Sequence, residues 1–246
     1  MPARYCSRTL ISLIQGGMAC LIVIASALAS AQSGAVSNAE DTSFRVGAVS
    51  LDLPAPSQDL VEMGSDYRVL IDYAVPSTNR LVAAFIPPDT LAEMKKGAHQ
   101  DVRRYALVEV IRRFEFADLD VTNFQSVVDV TSKQSGTDSL NQAAANQEEE
   151  VNRKITAMGI NTGKIAIDKP VQLGAFFSKQ NAYGFGMMLP MSADGKTVNM
   201  VCGATMLRTK NRLLLVYIYS EYKDEATVHW VMKTSEAWAD TILKSN

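Results

Sequence analysis

Cysteine is scarce in this chain: three occur among 246 residues, and two of them, Cys6 and Cys20, lie close to the N-terminus. If that N-terminal segment is removed on export, as argued below, Cys202 is the cysteine that remains. A single cysteine cannot form an internal disulfide, so an exported form of the chain must fold on its hydrophobic core alone. A chain of roughly 200 residues is long enough to bury such a core.

Histidine and the familiar catalytic motifs are equally sparse. The two histidines, His99 and His229, are far apart in sequence, and no H-E-x-x-H, G-x-S-x-G or paired-cysteine motif occurs. We therefore expect no cofactor, and the sequence favours a protein that is not an enzyme. The charges nearly balance, with 24 basic and 26 acidic residues. This balance gives no electrostatic reason to expect nucleic acid as a partner.

One long apolar run occurs, and it lies near the N-terminus, after a short segment that contains Arg4 and Arg8 and no acid. The run ends in Ala29-Ser30-Ala31, the A-x-A pattern of a secretory cleavage site. We predict a signal peptide over residues 1–31, cleaved near Ala31, and a periplasmic or secreted protein. An uncleaved anchor helix is the alternative. After cleavage we expect no stable membrane span.

The rest of the chain predicts a disordered leader at 32–43, which is small and polar, and one domain at 44–246. Strand patterns at 44–54, 80–87 and 102–116 alternate with helix patterns at 65–75, 87–97, 120–136 and 139–158. From Lys164 onward strand patterns follow in close succession, and a helix with Asp224 as its N-cap ends the chain. We predict an α+β fold, with an antiparallel β-sheet meander flanked by helices on both faces and closed by the C-terminal helix.

Two turn signals, Asp194-Gly195 and Lys210-Asn211, predict the register of the last three strands. If each is a two-residue hairpin loop, Met187 pairs with Cys202 and Cys202 pairs with Tyr219. Because side chains alternate between the two faces of a sheet, this register places Met187, Met200 and Cys202 on one face. The other face receives three glycines, namely Gly184, Gly186 and Gly203.

The sulfur-containing side chains have two interpretations. Thiolate and thioether groups are the ligands that Cu(I) prefers, so Met187, Met200 and Cys202 are candidates for a soft-metal site. Methionine also fills gaps in ordinary cores, and free cysteine is among the most buried residue types. We favour the core interpretation, because the strand neighbours are apolar and no histidine is close in sequence.

The three glycines leave bare backbone, which lets another group approach the sheet closely. We expect a crossing helix there and retain a ligand or partner protein as the alternative. Gly184-Phe185-Gly186 lies within a strand, so it is not a phosphate-binding loop.

Glu109 is an acid in the middle of an apolar strand, with Tyr105, Leu107 and Ile111 on its own face. We expect it to be paired, with Arg113 available four residues further on and on the same strand face, and regard a catalytic acid as the alternative. Arg103, Arg104, Arg112 and Arg113 bracket the same strand and are either a basic rim for an anionic ligand or solubilising charge. A nucleophilic pair of Cys202 and His229 is a further possibility, although apolar surroundings make a thiol less reactive.

The C-terminal stretch RLLLVYIYSEYKDEATVHWVMKTSEAWADTIL resembles the closing module of Mog1/PsbP-like proteins, including periplasmic DcrB-like ones. The resemblance covers about a quarter of the chain that follows the signal peptide. It implies an antiparallel sheet flanked by helices and a non-enzymatic binding or accessory role. We therefore predict an exported envelope module that binds an envelope protein or a small ligand. The alternatives are an enzyme centred on Glu109 or Cys202 and a copper binder at the methionines and Cys202.

Overall fold

The computed structural model describes residues 43–72, 74–96, 102–134, 137–157, 164–193 and 196–246. The predicted signal peptide, the leader up to residue 42, His99 and the Asp194-Gly195 turn lie outside the described residues. Within those ranges the helices and strands follow one another in this order: β1 (Ser43–Val46), β2 (Val49–Asp52), β3 (Val61–Glu62), α1 (Ser65–Asp72), β4 (Asn79–Ile86), α2 (Pro88–Lys95), β5 (Arg104–Ile111), α3 (Val121–Gln134), α4 (Thr137–Ala157), β6 (Ala166–Ile167), β7 (Val171–Lys179), β8 (Ala182–Ala193), β9 (Lys196–Thr209), β10 (Arg212–Glu221) and α5 (Glu225–Ser245).

The large sheet has the strand order β3-β4-β5-β10-β9-β8, and β6 and β7 both pair with β8. Each of these pairings is antiparallel. The α+β class is therefore confirmed, and β7 to β10 form the predicted meander. The first two strands, β1 and β2, form a separate hairpin.

The predicted register of the last three strands is confirmed. Ala193 pairs with Lys196 and Met187 with Cys202, as a two-residue loop between β8 and β9 requires. Cys202 pairs with Tyr219 across the next turn. That turn has positive φ at Lys210 (43°) and Asn211 (59°), the two-residue geometry that matches the twist of the flanking strands.

Both faces of the large sheet are covered, as predicted. The sulfur face, which carries Met187, Met200 and Cys202, packs against buried side chains of α1 to α4. These side chains include Ile71, Leu91, Phe124, Val128, Leu140, Val151 and Ile155. The opposite face, here called the glycine face, packs against α5 and the β1–β2 hairpin.

The C-terminal helix begins where the sequence predicts. The Asp224 carboxylate accepts a hydrogen bond from the Thr227 backbone N–H (3.2 Å), which satisfies one of the unpaired donors of the first turn. Further along α5, the Trp238 ring packs edge-on against Phe85, and its Nε1 donates to the Pro54 carbonyl oxygen (2.6 Å). These contacts fix α5 across the glycine face.

Two predicted strands differ from the structure. Residues 44–54 form a hairpin and not one strand, because the chain reverses at Gly47, whose φ is +59°. The strand predicted over 102–116 ends at Ile111, and a 3₁₀ turn (Arg112–Phe114) follows. The Arg112 backbone N–H donates to the Thr78 carbonyl, and the chain then turns towards α3. No helix within the described ranges combines the length and hydropathy that a membrane span needs.

Candidate functional site

The methionines and the cysteine of the sulfur face lie in the interior. Met187 and Met200 are buried, and Cys202 is fully buried. Burial raises the pKa of the Cys202 thiol to about 12, with a hydrogen bond to Tyr219 acting against it and the charge of Glu109 adding to it. A thiol with that pKa is protonated at neutral pH, so this environment opposes the thiolate that a nucleophile or a soft-metal ligand requires.

Cys202 and His229 lie on different sides of the sheet. The Cys202 side chain is on the sulfur face, whereas α5, which carries the exposed His229, covers the glycine face. The suggestion that they form a nucleophilic pair is therefore wrong. Among the described residues, no three His, Cys, Asp or Glu side chains are grouped as metal ligands.

Glu109 is fully buried, and the Asn79 amide Nδ2 on the neighbouring strand donates to its Oε2 (2.8 Å). It shares the sulfur face with Tyr105, which stacks on Tyr219 at 4.5 Å between ring centroids. Glu109 therefore belongs to a polar group inside the core. The expectation that Arg113 lies on the same strand face is wrong, because the strand ends at Ile111.

The four arginines around β5 occupy two separate places. Arg103 pairs with Glu221 and Arg104 lies over the Trp230 ring (4.1 Å), both at the start of the strand. Arg112 and Arg113 are exposed at its other end, where the Arg113 guanidinium lies 4.5 Å from the Phe114 ring centroid. The four side chains therefore do not form one rim.

The glycines of the glycine face are covered by the chain itself. A Cβ on Gly184 would lie 2.3 Å from the Phe177 ring, and one on Gly186 would lie 2.0 Å from the Phe176 ring. A Cβ on Gly203 would lie 2.4 Å from the Ser235 hydroxyl of α5. The expected crossing helix thus accounts for one glycine, and two aromatic rings of β7 account for the others.

A cavity of about 380 Å³ lies between α4 and the segment around β6. Its lining combines apolar residues such as Ala144 and Ile167 with the polar side chains of Glu148, Asn152 and Asp168. Glu148 accepts from the Ile167 backbone N–H (2.8 Å), and the Asn152 amide bonds both backbone groups of Ile165. These bonds fix α4 against β6 beside the cavity.

The exposed functional groups that the sequence interpretation missed lie around the connection from β5 to α3. Phe116 is 74% exposed and lies on this connection beside Arg112 and Arg113. From here on, the name basic rim denotes the surface formed by residues 45–50, Arg80, 112–120 and 208–212, which includes Arg112 and Arg113 of the predicted rim but not Arg103 and Arg104. The sequence RRFEF could have revealed this surface. It follows a buried strand at the point where the apolar periodicity ends, and it contains two phenylalanines among charged residues.

Hydrogen bonds hold the basic rim in one arrangement. Arg80 binds both carboxylate oxygens of Glu115, and its Nη2 also donates to the Arg45 carbonyl (2.8 Å). The Gly47 backbone N–H donates to Glu115 Oε1 (3.3 Å). The hydrogen bond from Arg80, with a smaller contribution from Gly47, holds the pKa of Glu115 below its usual value against the opposing effect of burial. The β1–β2 turn and the β5–α3 connection are therefore fixed to each other.

The other side of the connection is fixed to the β9–β10 turn. Arg212 Nη1 donates to the Ala117 carbonyl (2.8 Å) and pairs with Asp118 (2.5 Å). Arg208 Nε donates to the Leu119 carbonyl (2.6 Å), and the Leu119 N–H donates to the Asn211 carbonyl (2.9 Å). Phe116 is thus an exposed ring on a connection that is anchored on both sides.

Comparison with known proteins gives a fold likeness alone. No family model matches the chain, and no curated protein matches it. A solved structure of a point mutant of the protein Mog1 is similar at 10% identity and a TM-score of 0.31, covering 82% of this chain and 94% of that one. The Saccharomyces cerevisiae Ran-binding protein Mog1p is similar at 10% identity and a TM-score of 0.29, covering 80% and 87%. Both names belong to the family that the C-terminal sequence resembles, and no residue role is transferred from them.

Proposed function

We propose that this protein is an exported, non-enzymatic module of the bacterial envelope that binds another protein through the basic rim. The observation that carries the proposal is the exposure of Phe116, a residue that is 74% exposed on a connection anchored by arginines. Aromatic and arginine side chains are enriched at the centres of protein interfaces. An anchored loop also loses little conformational entropy when a partner binds.

The N-terminal sequence supports the exported part of the proposal. Arg4 and Arg8, the apolar run and the Ala29-Ser30-Ala31 site match the three parts of a cleaved secretory signal. N-terminal sequencing of the protein from the periplasm or medium of a bacterial host tests it. Gln32 as the first residue is the expected result, and an intact N-terminus in the membrane fraction would instead favour the anchor helix.

The binding part is tested by photo-cross-linking in cells. A photoreactive phenylalanine analogue at residue 116 is compared with the same analogue at residue 233, an exposed position of α5 on the glycine-face side. We expect a discrete protein adduct from residue 116 and none of the same mass from residue 233. Equal labelling from both positions, or none from residue 116, would contradict the proposal.

A further inference from the structure

The basic rim differs in charge from the rest of the molecule. It contains seven basic residues, Arg45, Arg80, Arg112, Arg113, Arg208, Lys210 and Arg212, and three acids, Glu115, Asp118 and Asp120, so its balance is +4 in a chain whose net charge is −2. We propose that the basic rim binds an acidic protein segment that carries an apolar side chain, with Phe116 as the apolar contact. This inference rests on the proposed function and names the chemistry of its partner.

Three of the seven basic side chains hold the basic rim together. Arg80 pairs with Glu115, Arg212 pairs with Asp118, and Arg208 donates to the Leu119 carbonyl. The other four, Arg45, Arg112, Arg113 and Lys210, are exposed and form no ion pair with another described residue. Since Asp120 binds the Asn123 backbone N–H (2.7 Å) at the start of α3, most of the remaining charge in the rim is positive and faces solvent.

The exposed charge and the exposed ring share the β5–α3 connection and the hairpin turn beside it. Phe116 follows Arg112 and Arg113 by a few residues, and its ring edge lies against Gly47 of the β1–β2 turn. Lys210 reaches the same hairpin, with Nζ donating to the Ser50 carbonyl oxygen (3.0 Å). Arginine forks bind carboxylates through two parallel hydrogen bonds, and a neighbouring apolar side chain can pack on the phenyl ring. A segment of alternating acidic and apolar residues supplies both.

The acids of the basic rim favour a protein segment over an anionic lipid surface. Asp118 and Asp120 are exposed on the same connection as Phe116. An anionic bilayer presents negative charge everywhere, so inserting Phe116 would press both carboxylates against like charge. A polypeptide can place its acids opposite the arginines and a hydrogen-bond donor or basic group opposite Asp118. The mixed signs of the rim therefore fit a patterned partner.

The inference is tested by fluorescence anisotropy with the full chain, processed in the host, and a short labelled peptide in which aspartates and glutamates surround one phenylalanine. Two matched peptides serve as controls. In one the acids are replaced with their amides, and in the other the phenylalanine is replaced with alanine. The binding variant is Arg112→Gln/Arg113→Gln. The control is Lys223→Gln/Lys233→Gln, which removes the same charge from exposed positions before and within α5.

We expect Kd for the acidic aromatic peptide to rise about tenfold in the arginine variant and to stay within about twofold in the control. Both matched peptides should bind more weakly than the parent, and added salt should weaken binding of the parent peptide most. Circular dichroism and the melting temperature of each variant establish that a lost signal is not lost folding. A charge-reversed pair, Arg112→Glu/Arg113→Glu with a lysine-containing peptide, should restore binding.

Each contrary result has one meaning. Equal binding of the acidic peptide and its amide counterpart, while residue 116 still forms its adduct in cells, overturns the acidic partner and leaves the proposed function standing. Loss of that adduct overturns both. Arginine-dependent binding to vesicles that contain phosphatidylglycerol, without binding to the peptide, overturns the inference in favour of a lipid surface.

Discussion

The interior of β8 to β10 and the basic rim differ in what their residue types suggest. The interior contains the methionines, the free cysteine and, on β5 beside it, Glu109, which are the side chains that invite a metal or catalytic hypothesis. All are buried, and Cys202 has no exposed surface. The basic rim contains common arginines and a phenylalanine, Phe116, which is 74% exposed. A rare residue type is therefore a poorer guide to the candidate site here than an apolar side chain that folding leaves in water.

The two regions also respond differently to substitution. An interior side chain acts through its volume and its partners, so a change there alters the free energy of unfolding. A side chain of the basic rim contacts solvent, so its loss should alter binding and leave unfolding nearly unchanged. The following substitutions separate these two kinds of effect, beginning with the largest.

Substitutions of Met187 test whether the stability of the interior depends on the sulfur atom or on the volume of the side chain. Met187→Ala removes most of a buried side chain and should lower the free energy of unfolding by about 2–5 kcal/mol. Met187→Leu keeps the volume and should cost less than about 1.5 kcal/mol. Urea denaturation of both variants measures the difference. If the leucine variant were as unstable as the alanine variant and the protein lost a bound metal in both, the sulfur itself would be important.

Gly186 tests the close packing on the glycine face. Gly186→Ala places a methyl group about where the Phe176 ring lies, since the Cβ would be 2.0 Å from that ring. We expect a loss of about 1–3 kcal/mol in the free energy of unfolding. The same change in a Phe176→Leu background should cost less, because the smaller side chain gives way. A double-mutant cycle without coupling would show that the ring is not what excludes the methyl group.

The sequence predicts the central part of the fold because two local rules act together there. Each hairpin turn fixes a register, and the alternation of side chains then assigns every residue of β8 to β10 to a face. The sulfur face and the glycine face follow from the two dipeptides alone. The cap at Asp224 is equally local, since the carboxylate binds an N–H three residues further on.

The remaining features depend on contacts between distant residues. Phe176 and Phe177 both lie on the glycine face, although neighbours in a regular strand alternate, because β7 shifts register between Ala175 and Phe177. The turn at Gly47 is likewise fixed by Glu115, which contacts both Arg80 and Gly47. Such pairings join segments that are far apart in sequence, and no periodicity predicts them. The basic rim is formed by those pairings.

Glu115 joins the β1–β2 turn to the β5–α3 connection and gives a pH dependence. Its pKa is lowered in the folded protein, so its stabilising effect is complete above the ordinary value of 4.5 and is lost as the pH falls below that value through the folded pKa. Glu115→Gln should lower the free energy of unfolding by about 1 kcal/mol at neutral pH. It should also flatten the decline in stability below pH 4.5, whereas Glu149→Gln, at an exposed position of α4, should leave the decline unchanged. Parallel acid profiles for all three proteins would contradict this role.

Phe116 should give the smallest change in stability and the largest change in binding. Phe116→Ser removes a ring that is mostly in water, so the free energy of unfolding should change by no more than about 0.5 kcal/mol. The anchors of the connection, the Arg80–Glu115 and Arg212–Asp118 pairs, remain in place. Cross-linking from a photoreactive residue at position 112 should nevertheless fall several-fold in this variant. A large loss of stability without a loss of cross-linking would assign Phe116 to packing against the β1–β2 turn, because its ring edge already lies beside Gly47.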